Sequence, residues 1–352
     1  MKNNRKFGVF VSICLVLILG LLAVMGACAE PATPQFEPVT LRFNVCDMEQ
    51  NVAVQVMKDW SDELYERTEG AVTVTPYYNS TLTSQDKIYD SLKEGIADMA
   101  FALTAFTPGV FPLNDCIGLP FYDRPASTRP SRIRWELHQK FPELQAEFAD
   151  VKVITQFSLT SSQLITNRGP ILTLEDAKGL KMSCAGKTIM DTFTALGMMP
   201  ATGPMQALYM DLQTGVVDGC FTTIDNMDTR KFYEVCKYVT NHYWRYNSWF
   251  VVMSWEAWNS LPPDIQEIID DMSGGELADR LDKAIWDNDV KVRAKLAEEN
   301  GVTFSELSPE EAARWAELTR PVIDSWVAEM EAKGLPAEEI VAEMYSLFEK
   351  YP

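Results

Sequence analysis

Two histidines, His138 and His242, are all that 352 residues contain. Neither lies in a nucleophile motif, so a Ser/His/Asp triad would lack its base. H-E-x-x-H, G-x-S-x-G, the phosphate-cradling P-loop and the dinucleotide G-x-G-x-x-G are all missing. Their absence argues against an enzyme, and neither a metal nor a cofactor is expected. His242, in TNHYW at a strand end, reads as structural. Positive charge is also scarce, with 31 Lys and Arg against 50 Asp and Glu and a net charge of −19. Nucleic acid needs a basic face, so it is excluded as a partner, as are anionic lipid head groups. Small anions stay open, because one local cation can dominate a pocket.

Cysteine is sparse and odd in number. Of seven, Cys14 and Cys28 fall in the N-terminal segment, leaving Cys46, Cys116, Cys184, Cys220 and Cys236. Five cannot all pair, and their spacing fits no zinc pattern. Cys184 and Cys220 lie on two strands of one unit and would be near each other; the five are expected as small buried hydrophobes.

What is present is apolar residue, 47% of the chain, enough for real cores. The length suits two lobes. Residues 1–28 read as a targeting segment: Lys2, Arg5 and Lys6, then an uncharged run over Phe7–Ala27. Met25-Gly26-Ala27-Cys28 reads as a lipobox with Cys28 lipidated; Ala27-Cys28-Ala29 is also an A-x-A cleavage site, and the run is long enough to be an uncleaved anchor. All three readings put the rest outside the cytoplasm. Residues 29–38, proline-rich, are a tether.

Beyond it the pattern alternates strand and helix. Val39–Cys46 alternates as a strand, and Val52–Glu66 is an amphipathic helix with Val56, Trp60 and Leu64 on one face. Ala71–Tyr78 and Asp98–Leu103 are strands flanking a helix capped by Ser84 and ended at Gly95. Leu103–Pro125 is Pro-, Gly- and aromatic-rich loop, and Ser131–Phe148 is a helix. Val151–Phe157 and Gln163–Asn167 are strands that cross into a second lobe; Lys237–Asn241 and Ser248–Ser254 cross back. The central stretch 177–221 reads strand, helix, loop, helix, strand. LKEGIADMAF (92–101) and LQTGVVDGCF (212–221) share Leu-x-x-Gly-aliphatic-x-Asp-x-x-Phe, so Gly95 and Gly215 should both end helices at positive φ. A long helix past Gly274-Gly275 to about Glu299 should span both lobes, followed by helices over Pro309–Ala332, capped by Ser308, and Pro336–Lys350. The expected fold is α/β and two-lobed, each lobe a mainly parallel sheet flanked by helices. Lobe one takes 39–160 and about 250–285, and lobe two takes 161–249 and about 286–352.

LEDAKGLKM (174–182), Ala195–Gly197, ALYMDLQTGVVDG (207–219), KFYEV (231–235), WFVVMSWEAW and SLPPDIQEII together resemble the solute-binding proteins of TRAP transporters, DctP type. The resemblance implies a periplasmic-binding-protein-like fold that closes on a small organic ligand and delivers it to a membrane permease. It also implies that the ligand-clamping arginines of the family are replaced here by Ser183 and, by a gap-free count, Ser162. On the same alignment the pocket receives Cys46 and Leu103 from lobe one. Lobe two supplies Ser162, Ser183, Gly186, Met205 and Thr222, and the returning strand supplies Asn247 and Trp249. A buried ligand carboxylate facing only serines would be poorly compensated. Either the ligand is aromatic or weakly charged rather than a simple dicarboxylate, or another cation has moved in. Lys187, at a helix start four residues after Ser183, is the nearest substitute unless it points to solvent; Arg168 and Arg245 are further options. Trp249 and Phe250 would stack on an aromatic ligand or pack in the core. Alternative functions are a sensor subunit for a membrane receptor and a secreted enzyme on the same scaffold.

Overall fold

A computed structural model describes residues 37–120, 127–242 and 245–352. The signal segment, Cys28 and most of the tether lie outside them. The chain runs β1 (Val39–Val45), α1 (Val52–Arg67), β2 (Val72–Tyr77), α2 (Asp90–Lys93), β3 (Met99–Leu103), α3 (Pro130–Lys140), α4 (Pro142–Ala146), β4 (Val151–Phe157). There follow β5 (Gln163–Thr166), α5 (Leu174–Ala177), β6 (Lys181–Ser183), α6 (Lys187–Ala195), β7 (Met199–Ala201), α7 (Leu208–Thr214), β8 (Gly219–Thr222), α8 (Ile224–Thr229) and β9 (Tyr238–Asn241). The chain ends with β10 (Trp249–Ser254), α9 (Trp255–Ser260), α10 (Pro263–Asp271), α11 (Gly274–Asn300), β11 (Thr303–Glu306), α12 (Pro309–Glu331) and α13 (Ala337–Lys350).

Two sheets result, ordered β2-β1-β3-β10-β4 and β11-β9-β5-β8-β6-β7. Each is parallel except for one strand. In the first sheet β10 is antiparallel to both β3 and β4. In the second, β5 is antiparallel to both β8 and β9. Those two strands are the ones that arrive from the other sheet: β4 leads into β5 through residues 158–162, and β9 into β10 through 242–248. The helix α11 makes a third crossing, 27 residues or about 40 Å long at 1.5 Å per residue. It touches α3 and β4 on one side and α8 on the other. The carboxyl ends of the parallel strands in both sheets therefore face the seam, where ligands of α/β sheets sit.

Local chemistry sets most of the elements. Val56, Trp60 and Leu64 are buried on one face of α1, as their spacing requires, and the Trp60 indole N–H donates to the Met272 carbonyl at 3.0 Å. Gly95 and Gly215 both adopt positive φ, +67° and +74°, where their helices end. The Ser308 hydroxyl accepts from the Glu311 N–H at 3.2 Å. Ser84 does not cap; its hydroxyl donates to Asp86, and only short helical turns follow. The expected single helix 131–148 is two, because Pro142 drives Phe141 out of the helical region to φ −110°, ψ 108°.

The C-terminal residues divide differently from the expected boundary. Trp315 packs in the second-lobe core with Phe193 and Leu196. Ile323, Trp326 and Met330 of the same helix, with Ile340, Met344 and Phe348 of α13, pack instead on Ile133 and Leu137 of α3. Their apolar faces cover the first sheet's helix, so residues 286–352 do not belong wholly to lobe two.

Trp60 is fully buried between sheet and helix. Trp60→Ala should destabilise the protein by about 3–5 kcal/mol, read as a lowered denaturant midpoint. A change within the scatter of surface substitutions would show that the site collapses around the loss.

Candidate functional site

Five strand ends converge on the seam. They enclose a cavity of about 70 Å³ walled by Cys46 and Asp47 after β1, Leu103 of β3, Ser183 and Cys184 at β6, Phe221 and Thr222 of β8, and Trp249 of β10. Met205, Asn247, Arg230 and Arg245 complete the polar and flexible parts of the wall. Gln85, Phe106 and Cys184 also line a wider groove of about 920 Å³, which carries Gly186 and Lys187.

Seven of the sequence-derived residues thus line the cavity itself: Cys46, Leu103, Ser183, Met205, Thr222, Asn247 and Trp249. Ser162 stands one step behind, its hydroxyl accepting from Asn247 Nδ2 at 2.8 Å. Gly186 sits at the groove with φ +98°, and a Cβ there would come within 3.3 Å of Ala105 from the facing lobe. Lys187 does not line the cavity; its side chain is 76% exposed and its ammonium pairs with Asp191 at 2.8 Å, one helical turn on. Arg168 is also at the surface, bound to Asp218 at 2.7 Å. Phe250 is core, packed on Phe111 and Phe148, whereas Trp249 faces both the aromatic cluster and the cavity. The five described cysteines are free and buried, and Cys220 lies in the second-lobe core away from the cavity wall.

Among the described residues, the cations lining the cavity are two arginines. Arg245, among the options the sequence left open, is 7% exposed. Its Nε donates to the Gly118 carbonyl at 3.0 Å and its Nη1 to Asn247 Oδ1. No described residue accepts from Nη2. That nitrogen lies between two glycines, 3.2 Å from where a Cβ would stand on Gly118 and 3.7 Å from one on Gly186. Burial lowers the guanidinium to about 10, partly offset by Asp115, so it remains charged at neutral pH. Arg230, which sequence reasoning missed, follows α8 and looks there like an ordinary surface helix end. Its one local hint is a basic residue directly after the acidic DNMD turn.

Arg230 belongs to a polar seam between the lobes. Its Nη2 donates to Asp47 Oδ1 at 2.6 Å and its Nε to Asn226 Oδ1 at 3.3 Å. Asn51, whose Oδ1 caps α1 through the Ala53 N–H, donates from Nδ2 to Asp225 Oδ2 at 2.8 Å. Asn288 of α11 donates to the other Asp225 oxygen at 2.7 Å. The third crossing, α11, is thereby tied to this polar seam. Among the described residues no group of three or more His, Cys, Asp and Glu is placed to hold a metal.

Burial, with Asp47 close by, lifts the Asp225 carboxyl to about 7. Between about pH 4 and about pH 7 the folded state then holds a proton that the unfolded chain has released, so stability through this group is lost as pH rises. Asp225→Asn should remove that loss. The melting temperature of the variant relative to the natural protein should climb between about pH 4 and about pH 7; a difference independent of pH would show that Asp225 titrates as it does unfolded.

Comparison with known proteins agrees with this architecture. The family description "bacterial extracellular solute-binding protein, family 7" (DctP) matches residues 44–330. A solute-binding protein of Sulfitobacter sp. strain NAS-14.1 is 26% identical over 321 residues, 89% of this chain and 94% of that one. The C4-dicarboxylate-binding periplasmic protein DctP of Rhodobacter capsulatus is 26% identical over 329 residues, 91% of this chain and 95% of that one. Among solved structures, a TRAP periplasmic solute-binding protein from Desulfovibrio salexigens superposes with TM-score 0.78 at 28% identity, covering 89% of this chain and 96% of its own. A TRAP solute-binding protein from Rhodoferax ferrireducens, in complex with copurified benzoate, gives TM-score 0.82 at 25% identity, covering 89% and 98%. With the family match spanning most of the chain, two sheets joined by crossing strands and a cavity at their seam, the chain belongs to family 7 of the bacterial extracellular solute-binding proteins, the solute-binding proteins of TRAP transporters.

Proposed function

We propose that this chain captures a small organic acid, with the ligand carboxylate on Arg245 and an apolar or aromatic body against Trp249, Phe221 and Phe106. The observation that carries this reading is Arg245 Nη2, a charged donor in a nearly closed cavity with no acceptor among the described residues. A guanidinium taken out of water is costly unless an anion compensates it. Ser183, Thr222 and Asn247 are then neutral hydrogen-bonding partners for the rest of the ligand, and Ser162 orients Asn247. Met205 and Leu103 add apolar wall, and Cys46 small uncharged wall. The benzoate found with the Rhodoferax protein has the chemistry that this cavity would accept. Lys187, exposed and already paired, takes no part.

Residues 158–162 and 242–248 serve as the hinge on which the lobes close. The closed form then docks on TRAP permease subunits outside the cytoplasm, with Cys28 carrying a lipid anchor. The basic residues, apolar run and Met25–Cys28 sequence support that last step.

Calorimetry with benzoate, its amide and short aliphatic acids tests the anchor. Arg245→Gln should weaken acid binding by at least about thirtyfold, the loss expected when one partner of a desolvated charge pair is removed. The ligand-free melting temperature should hold, since an uncompensated buried charge goes with it. Acid binding undiminished in the variant would sink the role of Arg245. Separately, Cys28→Ala should abolish incorporation of labelled fatty acid; incorporation in the variant would place the anchor elsewhere.

A further inference from the structure

Among the described residues two guanidiniums line the cavity, and one of them is already neutralised by a carboxylate. Arg230 is held by Asp47 at 2.6 Å, with side chains 8% and 5% exposed. Asp47 is itself pinned: Oδ1 also accepts from the Met48 N–H at 2.8 Å, and Oδ2 accepts from Asn51 Nδ2 at 3.2 Å. Arg230 Nη1 makes no bond among the described residues, but a carboxylate reaching it would share an already neutralised guanidinium with Asp47 and meet that like charge. Among the charged residues that line the cavity, Arg230 and Asp47 cancel and Arg245 is left for the ligand.

We infer that Asp47 is a specificity-determining residue: by occupying Arg230 it reserves the site for acids with a single carboxylate and rejects short dicarboxylates. This rests on Arg245 anchoring the first carboxylate. A second carboxylate in the same enclosed space meets Asp47 and, among the described residues, no cation without a carboxylate partner. Lys187, the next cation outward, lies on the groove rather than in the cavity and is engaged by Asp191.

The test measures affinity of the purified protein for two matched pairs, butyrate against succinate and benzoate against isophthalate. Each pair differs by one carboxylate. In the natural protein the monoacid of at least one pair should bind, and its diacid should bind at least about tenfold more weakly, as like-charge contact demands. Asp47→Asn frees Arg230 and should raise the diacid-to-monoacid affinity ratio by at least about tenfold. The double variant Asp47→Asn, Arg230→Gln removes both charges and should return the ratio to its natural value, showing that the gain needs the freed guanidinium. A natural protein that binds diacid as tightly as monoacid, or an unchanged ratio in Asp47→Asn, overturns the inference. If Asp47→Asn fails to fold, the double variant decides: retained preference for the monoacid supports the inference, and lost preference overturns it. Binding of no acid at all removes the Arg245 anchor and this inference with it, whereas binding without discrimination removes this inference alone.

Discussion

A guanidinium withdrawn from water has to be compensated, and the seam between the two lobes is arranged around that requirement twice. Arg230 is compensated within the protein, by a carboxylate from the opposite lobe. Arg245 is compensated only in part, by the charge of Asp115, the Gly118 carbonyl and the Asn247 amide oxygen, with Ser162 holding Asn247 from behind. Gly118 follows from the same requirement, since a Cβ there would stand 3.2 Å from Nη2, whereas Gly186 is required by its φ of +98°. An anion seated on Arg245, as proposed, would complete that compensation and favour the closed form.

The topology makes this arrangement possible. Because each sheet receives one reversed strand from the other, the carboxyl ends of both parallel sets point at one another. Partners 183 residues apart, Asp47 and Arg230, meet there at hydrogen-bond distance. Recognition then needs both lobes at once: β1 and β3 supply one wall, and β6 and β8 the other. The long helix α11 contributes Asn288 to the same polar seam.

Much of the fold was legible from local signals. The apolar face of α1, the glycine stops at 95 and 215, the Ser308 cap and the strand alternation of β1 are settled within one or two turns of chain. The missed elements are the ones whose support is distant. β7 and β11 are short edge strands of three and four residues, defined by the partners they pair with rather than by their own pattern. The break at Pro142 was available in the sequence and was overrun by the longer helical periodicity around it.

By itself the sequence determined the α/β order and the two-lobed division in outline, and seven of the residues it put forward line the cavity. It also contained the pairing of Lys187 with Asp191, since residues four apart on a helix are neighbours whatever the fold. Only the tertiary structure decided which cations serve the cavity. Arg168 and Arg245 are alike as letters; one ends at the surface beside Asp218, and the other is walled in at the seam. The charge a buried group presents depends on what stands within a few ångströms of it, and here those partners come from strands and linkers far away along the chain.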